Sequence, residues 1–194
     1  MKWKIKIFSI VLFILLLFSG VPLRAEETRA ELATFSNCTV TILKDREYFF
    51  ALKDALKKAK KDITLSFYHF KLRGEEHYLP DSIFMELLAA ARRGVKVSVL
   101  LEQGKPEEAA IRNRDNLTVK ERLSAAGAKV FLDSPRRTTH TKLAVIDGRY
   151  TFVGSHNLTQ SALKYNREVS VMIDSPAVAK EVLSYIASLL DEVR

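Results

Sequence analysis

One cysteine, Cys38, and only seven glycines stand in a chain of 194 residues. A single thiol excludes an internal disulfide framework and a zinc module built from several cysteines. Cys38 reads as a small buried hydrophobe rather than half of an intersubunit disulfide. The four histidines are scattered, His-Glu-x-x-His is missing, and no carboxylate cluster suits a two-metal site, so neither a metal nor another cofactor is expected. There is no internal repeat and no long linker. With 28% charged and 47% hydrophobic residues the chain is neither disordered nor of low complexity, and its length suits one ordinary domain.

Long apolar runs are confined to Ile7–Val21, which follows Lys2, Lys4 and Lys6 and precedes Pro22-Leu23-Arg24-Ala25. This pattern predicts a secretory signal over residues 1–25, cleaved after Ala25, and a periplasmic or secreted protein. Leu23 is less typical than alanine three residues before a cleavage point, so an uncleaved N-terminal membrane anchor is the alternative. Residues 26–37 read as an extension and 38–194 as a single domain. Four of the 31 basic residues and none of the 23 acidic ones lie in residues 1–25, which leaves the other 169 residues at +4 instead of +8. That charge supports solubility and attraction to polyanions, and defines no ligand.

Strand and helix patterns alternate along the rest. Val40–Leu43 suggests a strand, and Tyr48–Lys60 carries Phe49, Leu52, Leu56 and Ala59 at helical spacing. Ile63–Phe70 is β-branched and aromatic. A charged loop is expected over Leu72–Asp81. Phe84, Leu87, Leu88 and Ala91 mark a second helix closed by Arg92-Arg93-Gly94, and Val95–Leu101 reads as a buried strand. A third helix is predicted over Leu117–Ala126, with strands at Ala128–Leu132, Lys142–Ile146, Tyr150–Val153 and Arg167–Ile173. Pro176 opens a last helix. The expected fold is α/β, with a mixed, largely parallel sheet flanked by helices on both faces.

The chemistry is concentrated between residues 140 and 168. His140 and Lys142 stand two apart at the start of a strand and project from one face. An imidazole beside an ammonium is a poor structural choice and a good phosphate site: the cation neutralises the anion, and the ring acts as nucleophile or proton donor. Gly154 lets backbone approach a ligand, Ser155 and Asn157 add a hydroxyl and an amide, and Glu168 is placed to accept the second ring N–H of His140. Plainer roles exist for most of these. Asp147-Gly148 between apolar strands makes a type I′ turn, which outweighs direct chemistry for Asp147. Gly154 can end a strand, Asn157 or Thr159 can cap a helix, and Ser155 can position rather than attack. His140 with Lys142 has no comparable plain role. His69 and His77 read as ordinary surface or core residues, and His156 alternates away from Ser155 and Asn157. Arg136 and Arg137, just before this segment, are better placed to grip phosphates than the lysine-rich face of the first helix.

The pattern His140-x-Lys142-x4-Asp147, then six residues and Gly154-Ser155-x-Asn157, resembles the HKD signature of the phospholipase D superfamily. Glu168 lies where family members place an acid that pairs with the catalytic histidine. The resemblance extends over roughly residues 38–192 and implies a phospholipase D/nuclease-like fold and a metal-independent phosphodiesterase. One histidine attacks phosphorus to give a phosphohistidine. A second protonates the leaving oxygen and then activates water, while lysines and asparagines hold the non-bridging oxygens. The full signature occurs once in this chain, since His69-Phe70-Lys71 lacks the Asp and the Gly-Ser-x-Asn that follow Lys142, so the resemblance implies a homodimer that joins two copies of His140 across a two-fold axis.

Size, single motif and export signal are similar to small secreted bacterial nucleases of the superfamily, so non-specific cleavage of DNA or RNA is expected. Hydrolysis of a phospholipid, as in the cardiolipin branch, is the second expectation. A non-catalytic nucleic-acid or membrane-binding protein is the third, although it has no need of an oriented histidine. Asn-x-Ser/Thr occurs at Asn37, Asn116 and Asn157. A sugar on Asn157 would block the site, which favours a bacterial exported protein over a eukaryotic secreted one.

Overall fold

A computed structural model describes residues 33–193. The expected signal or anchor, residues 1–25, and the first part of the 26–37 extension lie outside the described residues. Cys38 is half-buried immediately before β1 (Thr39–Lys44), the first strand. In α1 (Arg46–Lys58), Tyr48, Phe49, Leu52 and Leu56 are buried along one side, and Lys57 and Lys58 complement the carbonyl end of the helix. β2 (Asp62–Phe67) leads to α2 (Leu79–Arg92), which has Pro80 in its first turn and buries Ile83, Phe84, Leu87 and Ala90. Gly94, at φ 87°, ends α2 in the left-handed conformation that favours glycine. The order continues through β3 (Lys96–Leu101), α3 (Pro106–Ala125), β4 (Lys129–Leu132), β5 (Lys142–Ile146), β6 (Tyr150–Gly154), a π-helical turn (Ser161–Tyr165), β7 (Val169–Asp174) and α4 (Pro176–Asp191). Ser175 caps α4 by accepting the Val178 N–H.

The seven strands form one sheet in the order β1-β7-β6-β5-β2-β3-β4. It is mixed, as expected, but its balance is antiparallel rather than largely parallel. Only β2–β3 and β3–β4 run parallel, while β1–β7, β7–β6, β6–β5 and β5–β2 run antiparallel. A parallel neighbour needs a crossover connection, and the strand–helix–strand rhythm that supplies one holds from β2 to β4 only. The short β5–β6 connection leaves no room for a crossover. α1, α2 and the second half of α3 share one core with Ile63, Leu65, Phe67, Ala144, Ile146 and Phe152. α4 packs over β5 and β6, and strand alternation turns the buried Leu143 and Val145 to the face opposite that core.

Three expected boundaries shift. β2 ends at Phe67, because Tyr68–Lys71 leaves the ladder to bond with the Thr141 and Leu158 carbonyls. The loop that starts at Leu72 is shorter than expected, since α2 begins at Leu79, and Asp81 closes it by accepting the Arg73 and Gly74 N–H groups. α3 begins at Pro106, eleven residues before the first residue that periodicity marked.

Asp147 stands in the turn between β5 and β6. Asp147 and Gly148 both have positive φ, 56° and 59°, and the Arg149 N–H donates to the Ile146 carbonyl at 3.1 Å, as a type I′ turn requires. Its carboxylate accepts the backbone N–H groups of Lys60, Lys61 and Asp62 at 3.0, 2.7 and 3.3 Å, which ties the β5–β6 turn to the entry of β2. Burial opposes the charge, but the three donors prevail and hold the carboxyl below the usual carboxylate range. Its stabilisation is therefore present above the ordinary carboxyl pKa and is lost as pH falls through the depressed value. Asp147→Asn retains a residue that tolerates the turn but removes the charge. A loss of about 1–2 kcal/mol is expected, from the worth of hydrogen bonds to a charged acceptor. Thermal melts as a function of pH should show this loss at neutral pH and a convergence of the two proteins in acid; equal melting at every pH would refute the assignment.

Candidate active site

β5 begins where β2 has just ended, so its first residues face the segment that follows β2. Lys142 is 7% exposed at the head of β5, and its ammonium donates to the His140 carbonyl at 2.8 Å and lies 3.0 Å from His140 Nδ1. Tyr68 closes the other side. Its ring meets that of His140 edge-on at 4.3 Å between centroids, and the Lys142 ammonium sits over it at 5.1 Å. Burial lowers the Lys142 pKa to about 8, against a partial opposing effect from Glu168. Burial also lowers that of His140, assisted by the positive charges of Lys142 and Arg112. At neutral pH the site therefore holds a neutral imidazole beside a largely protonated amine.

Glu168 does not pair with His140 within the chain. The Ser155 hydroxyl and the Asn166 amide donate to its carboxylate, the latter at 3.0 Å, and no hydrogen bond joins it to His140. Its negative charge nonetheless acts on Lys142, opposing the effect of burial there. Asn157 is half-buried, and its side-chain oxygen is buried without a hydrogen-bond partner. Arg136 and Arg137 are exposed and line a cleft of about 300 Å³ together with His140, Thr138, Thr139 and the end of α4.

Two other residues of the segment prove to be structural. A Cβ on Gly154 would lie 2.4 Å from Ser170 Cα, so the close approach that requires glycine is to β7 and not to a ligand. Asp147 sits at the far end of β5 from His140, in the turn described above. His156, fully buried, is held by Ser170 Oγ at 2.7 Å and the Asp45 carbonyl at 2.8 Å, and stacks on Tyr48 at 4.3 Å; it anchors the loop that carries Ser155 and Asn157.

Sequence reasoning missed the group behind His140. The Arg112 guanidinium stacks 4.2 Å above Tyr68 and donates to its hydroxyl at 2.5 Å. Glu102, buried at the end of β3, accepts the Thr139 N–H at 2.7 Å and faces Arg112 at 3.7 Å. Burial raises the Glu102 pKa, opposed by the Thr139 N–H and by Arg112. Asn116, also buried, donates to the Glu102 and Tyr68 carbonyls at 2.8 and 3.0 Å and accepts the Phe70 N–H at 2.9 Å, which excludes it as a glycosylation site in the folded chain. A signal was present: Arg112, Asn116, Val119 and Leu123 form a single stripe at helical spacing, whose first half is polar.

Residues 52–190 match the family model described as "Cardiolipin synthase, PLD-like domain". The chain belongs to this phospholipase D-like family, whose members act on phosphodiesters. It is similar to cardiolipin synthase B of Escherichia coli (strain K12), 35% identical over 98 residues that cover 50% of this chain and 23% of that protein. It thus spans about a quarter of the length of the curated relatives it matches. Among solved structures it is similar to the phospholipase D family member Nuc from Salmonella typhimurium, with a TM-score of 0.68 and 23% identity over 81% of this chain and 97% of that one. NucT from Helicobacter pylori gives 0.57 and 18%, over 80% and 98%. These two likenesses bear out the phospholipase D/nuclease-like fold.

The electrostatics of the pair are directly measurable. In protein labelled at lysine Cε, the resonance lost in Lys142→Arg should titrate near pH 8 rather than near the 10.5 of a free lysine. A midpoint above 10 would refute the buried, desolvated ammonium.

Proposed function

We propose that this chain is half of a metal-independent phosphodiesterase that cleaves DNA or RNA with little sequence preference, through a phosphohistidine formed at His140 in a homodimeric site. One observation carries this reading: the His140 imidazole is held against the buried Lys142 ammonium, on the wall of a cleft that Arg136 and Arg137 also line. A phosphodiester in that cleft meets cations along its backbone and a nucleophile at phosphorus. The lone pair of a His140 ring nitrogen attacks phosphorus, and the bond to the leaving oxygen breaks. That oxygen takes its proton from His140 of the partner subunit, which enters the step as imidazolium, favoured by the bound phosphodiester's charge: the two rings share one proton, so one is the free nucleophile and the other the acid. The same partner ring then removes a proton from water, which attacks phosphorus and frees the first imidazole. Lys142 and the Asn157 amide take up the charge on the non-bridging oxygens. Because the Glu168 carboxylate leaves its own His140 alone, the partner's Glu168 is assigned to the ring N–H, which fixes the tautomer across the two-fold axis. Ser155 positions Glu168 in this scheme.

Phospholipid is the second reading, favoured by the family model's description and by the cardiolipin synthase relatives. The periplasmic or secreted location belongs to the proposal for either substrate, with retention of Ile7–Val21 as an anchor favouring the lipid.

The test is an assay in excess EDTA of single- and double-stranded DNA, RNA, cardiolipin and phosphatidylcholine, with His140→Ala as control. Nucleic acid should be cut, undiminished by the chelator, and the variant should be inactive. Cleavage of lipid alone would transfer the mechanism to the second reading. Loss of all activity on chelation, or full activity of the His140 variant, would refute it for every substrate.

A further inference from the structure

The lysine-rich end of α1 lies away from the candidate site. β5 separates the two: Lys142 heads the strand and the Asp147 turn follows it, about 17 Å further on at the usual rise per residue. At this far end Lys57 and Lys58 close α1, and Lys60 and Lys61 precede β2. Arg92 and Arg93 close α2, Lys96 opens β3, and Arg149 follows the β5–β6 turn; all eight side chains are exposed. The four aspartates among them, Asp54, Asp62, Asp147 and Asp174, leave an excess of four positive charges, which equals that of residues 26–194 as a whole. Attraction to helix carbonyl ends accounts for the basic residues that close α1 and α2, and not for the other four.

The same end carries a groove of about 580 Å³ between α1 and the β5–β6 turn. Its floor is apolar, from Ala51, Ala55, Ile146, Tyr150 and Met172, and its rim bears Lys58, Lys60, Lys61 and Arg149. Lys58 is paired with Asp54 at 2.6 Å and Arg149 with Asp174 through two contacts, at 2.5 and 2.8 Å, while the Asp147 carboxylate is turned to backbone N–H groups. Lys60 and Lys61 have no side-chain hydrogen bond or ion pair among the described residues, so the rim holds two unpaired ammonium groups. A cationic rim on an apolar floor fits an anion that carries hydrocarbon, as an acidic phospholipid does. It suits a nucleic-acid strand less, because the ring of the groove, Tyr150, lies under the Arg149 guanidinium at 5.2 Å and is not free to stack on a base.

Chain connectivity points the same way. Thr39 pairs with Asp174, and Asp174 with Tyr150, so the chain enters the sheet at this end. The sequence leading to it holds Lys2, Lys4, Lys6 and the apolar run Ile7–Val21. We propose that the basic end is a docking surface for a bilayer rich in anionic phospholipid, with a headgroup phosphate against Lys60 and Lys61 and its glycerol on the groove floor. Docked in this way, the domain holds His140 at its opposite end, toward substrates in solution. Docking of this kind is independent of what the site cleaves.

The test uses the full-length chain in nanodiscs of phosphatidylcholine, alone or mixed equally with phosphatidylglycerol. Amine-reactive labelling, read by peptide mass spectrometry, should fall about fivefold or more at Lys57, Lys60, Lys61 and Lys96 in the anionic discs. Lys105 and Lys164, beyond the site end of β3 and β6, should label equally in both. Molar salt should abolish the protection. Lys60→Gln/Lys61→Gln should keep the wild-type melting temperature, since both side chains are exposed, and should lose the protection of Lys57 and Lys96. Equal labelling of the wild type in the two kinds of disc, or protection that persists in the double variant, overturns the inference. So does equal protection by an oligonucleotide duplex added to His140→Ala in phosphatidylcholine discs, which assigns the surface to nucleic acid.

Discussion

The burial of one ammonium group constrains this site more than any other feature. Lys142 is drawn out of water at the head of β5, where its nearest polar contacts are the ring and carbonyl of His140. Removing a cation from water is costly, and the cost is offset only where opposite charge is at hand. Glu168, the carboxylate that influences it among the described residues, is already engaged by Ser155 and Asn166. The result is a centre short of negative charge, next to an imidazole whose pKa is lowered by burial and by adjacent cations. In the proposed function, an incoming phosphodiester would supply the missing charge and place phosphorus against the ring in one event, giving the binding and the chemistry of the site a common origin.

Much of the remaining structure keeps that pair in place. The turn at Asp147 joins the far end of β5 to the entry of β2, and the β2–β5 register then delivers Lys142 opposite Phe67 and next to Tyr68. Glu102 grips the backbone at Thr139 while Arg112 presses on Tyr68, so the residue before His140 and the ring beside it are both tied to α3. On the opposite wall the buried His156 and the tight β6–β7 contact at Gly154 set the loop that bears Ser155 and Asn157. Within one chain Glu168 bonds to Ser155 and Asn166 and not to His140, while its charge acts on Lys142.

The fold and the site were legible to different degrees. Wherever apolar residues recur at a helical or strand period, as in α1, α2, β2, β3 and α4, the elements could be read directly, because burial of one face dictates the pattern. The sheet's balance could not, since the local rhythm of β2–α2–β3–α3–β4 says nothing of the antiparallel partners that β1 and β7 find far along the chain. His140 and Lys142 stood out because that pair makes little structural sense, and Asp147 because its turn chemistry is local. Glu102, Arg112 and Asn116 did not, because a polar residue facing a core differs from one facing water only through a partner distant in sequence. Gly154 was recognised as a close approach, but its neighbour, Ser170, belongs to another strand and is visible only in three dimensions.

The proposed phosphodiesterase takes one covalent step per pair of chains. Rapid acid-free quenching of the full-length protein during turnover of a phosphodiester substrate, followed by intact-mass and peptide analysis, tests it most directly. The prediction is a phosphorus adduct on the imidazole of His140, on one chain of every two. An adduct on Ser155, an adduct on both chains alike, or turnover with no adduct at His140 would contradict it.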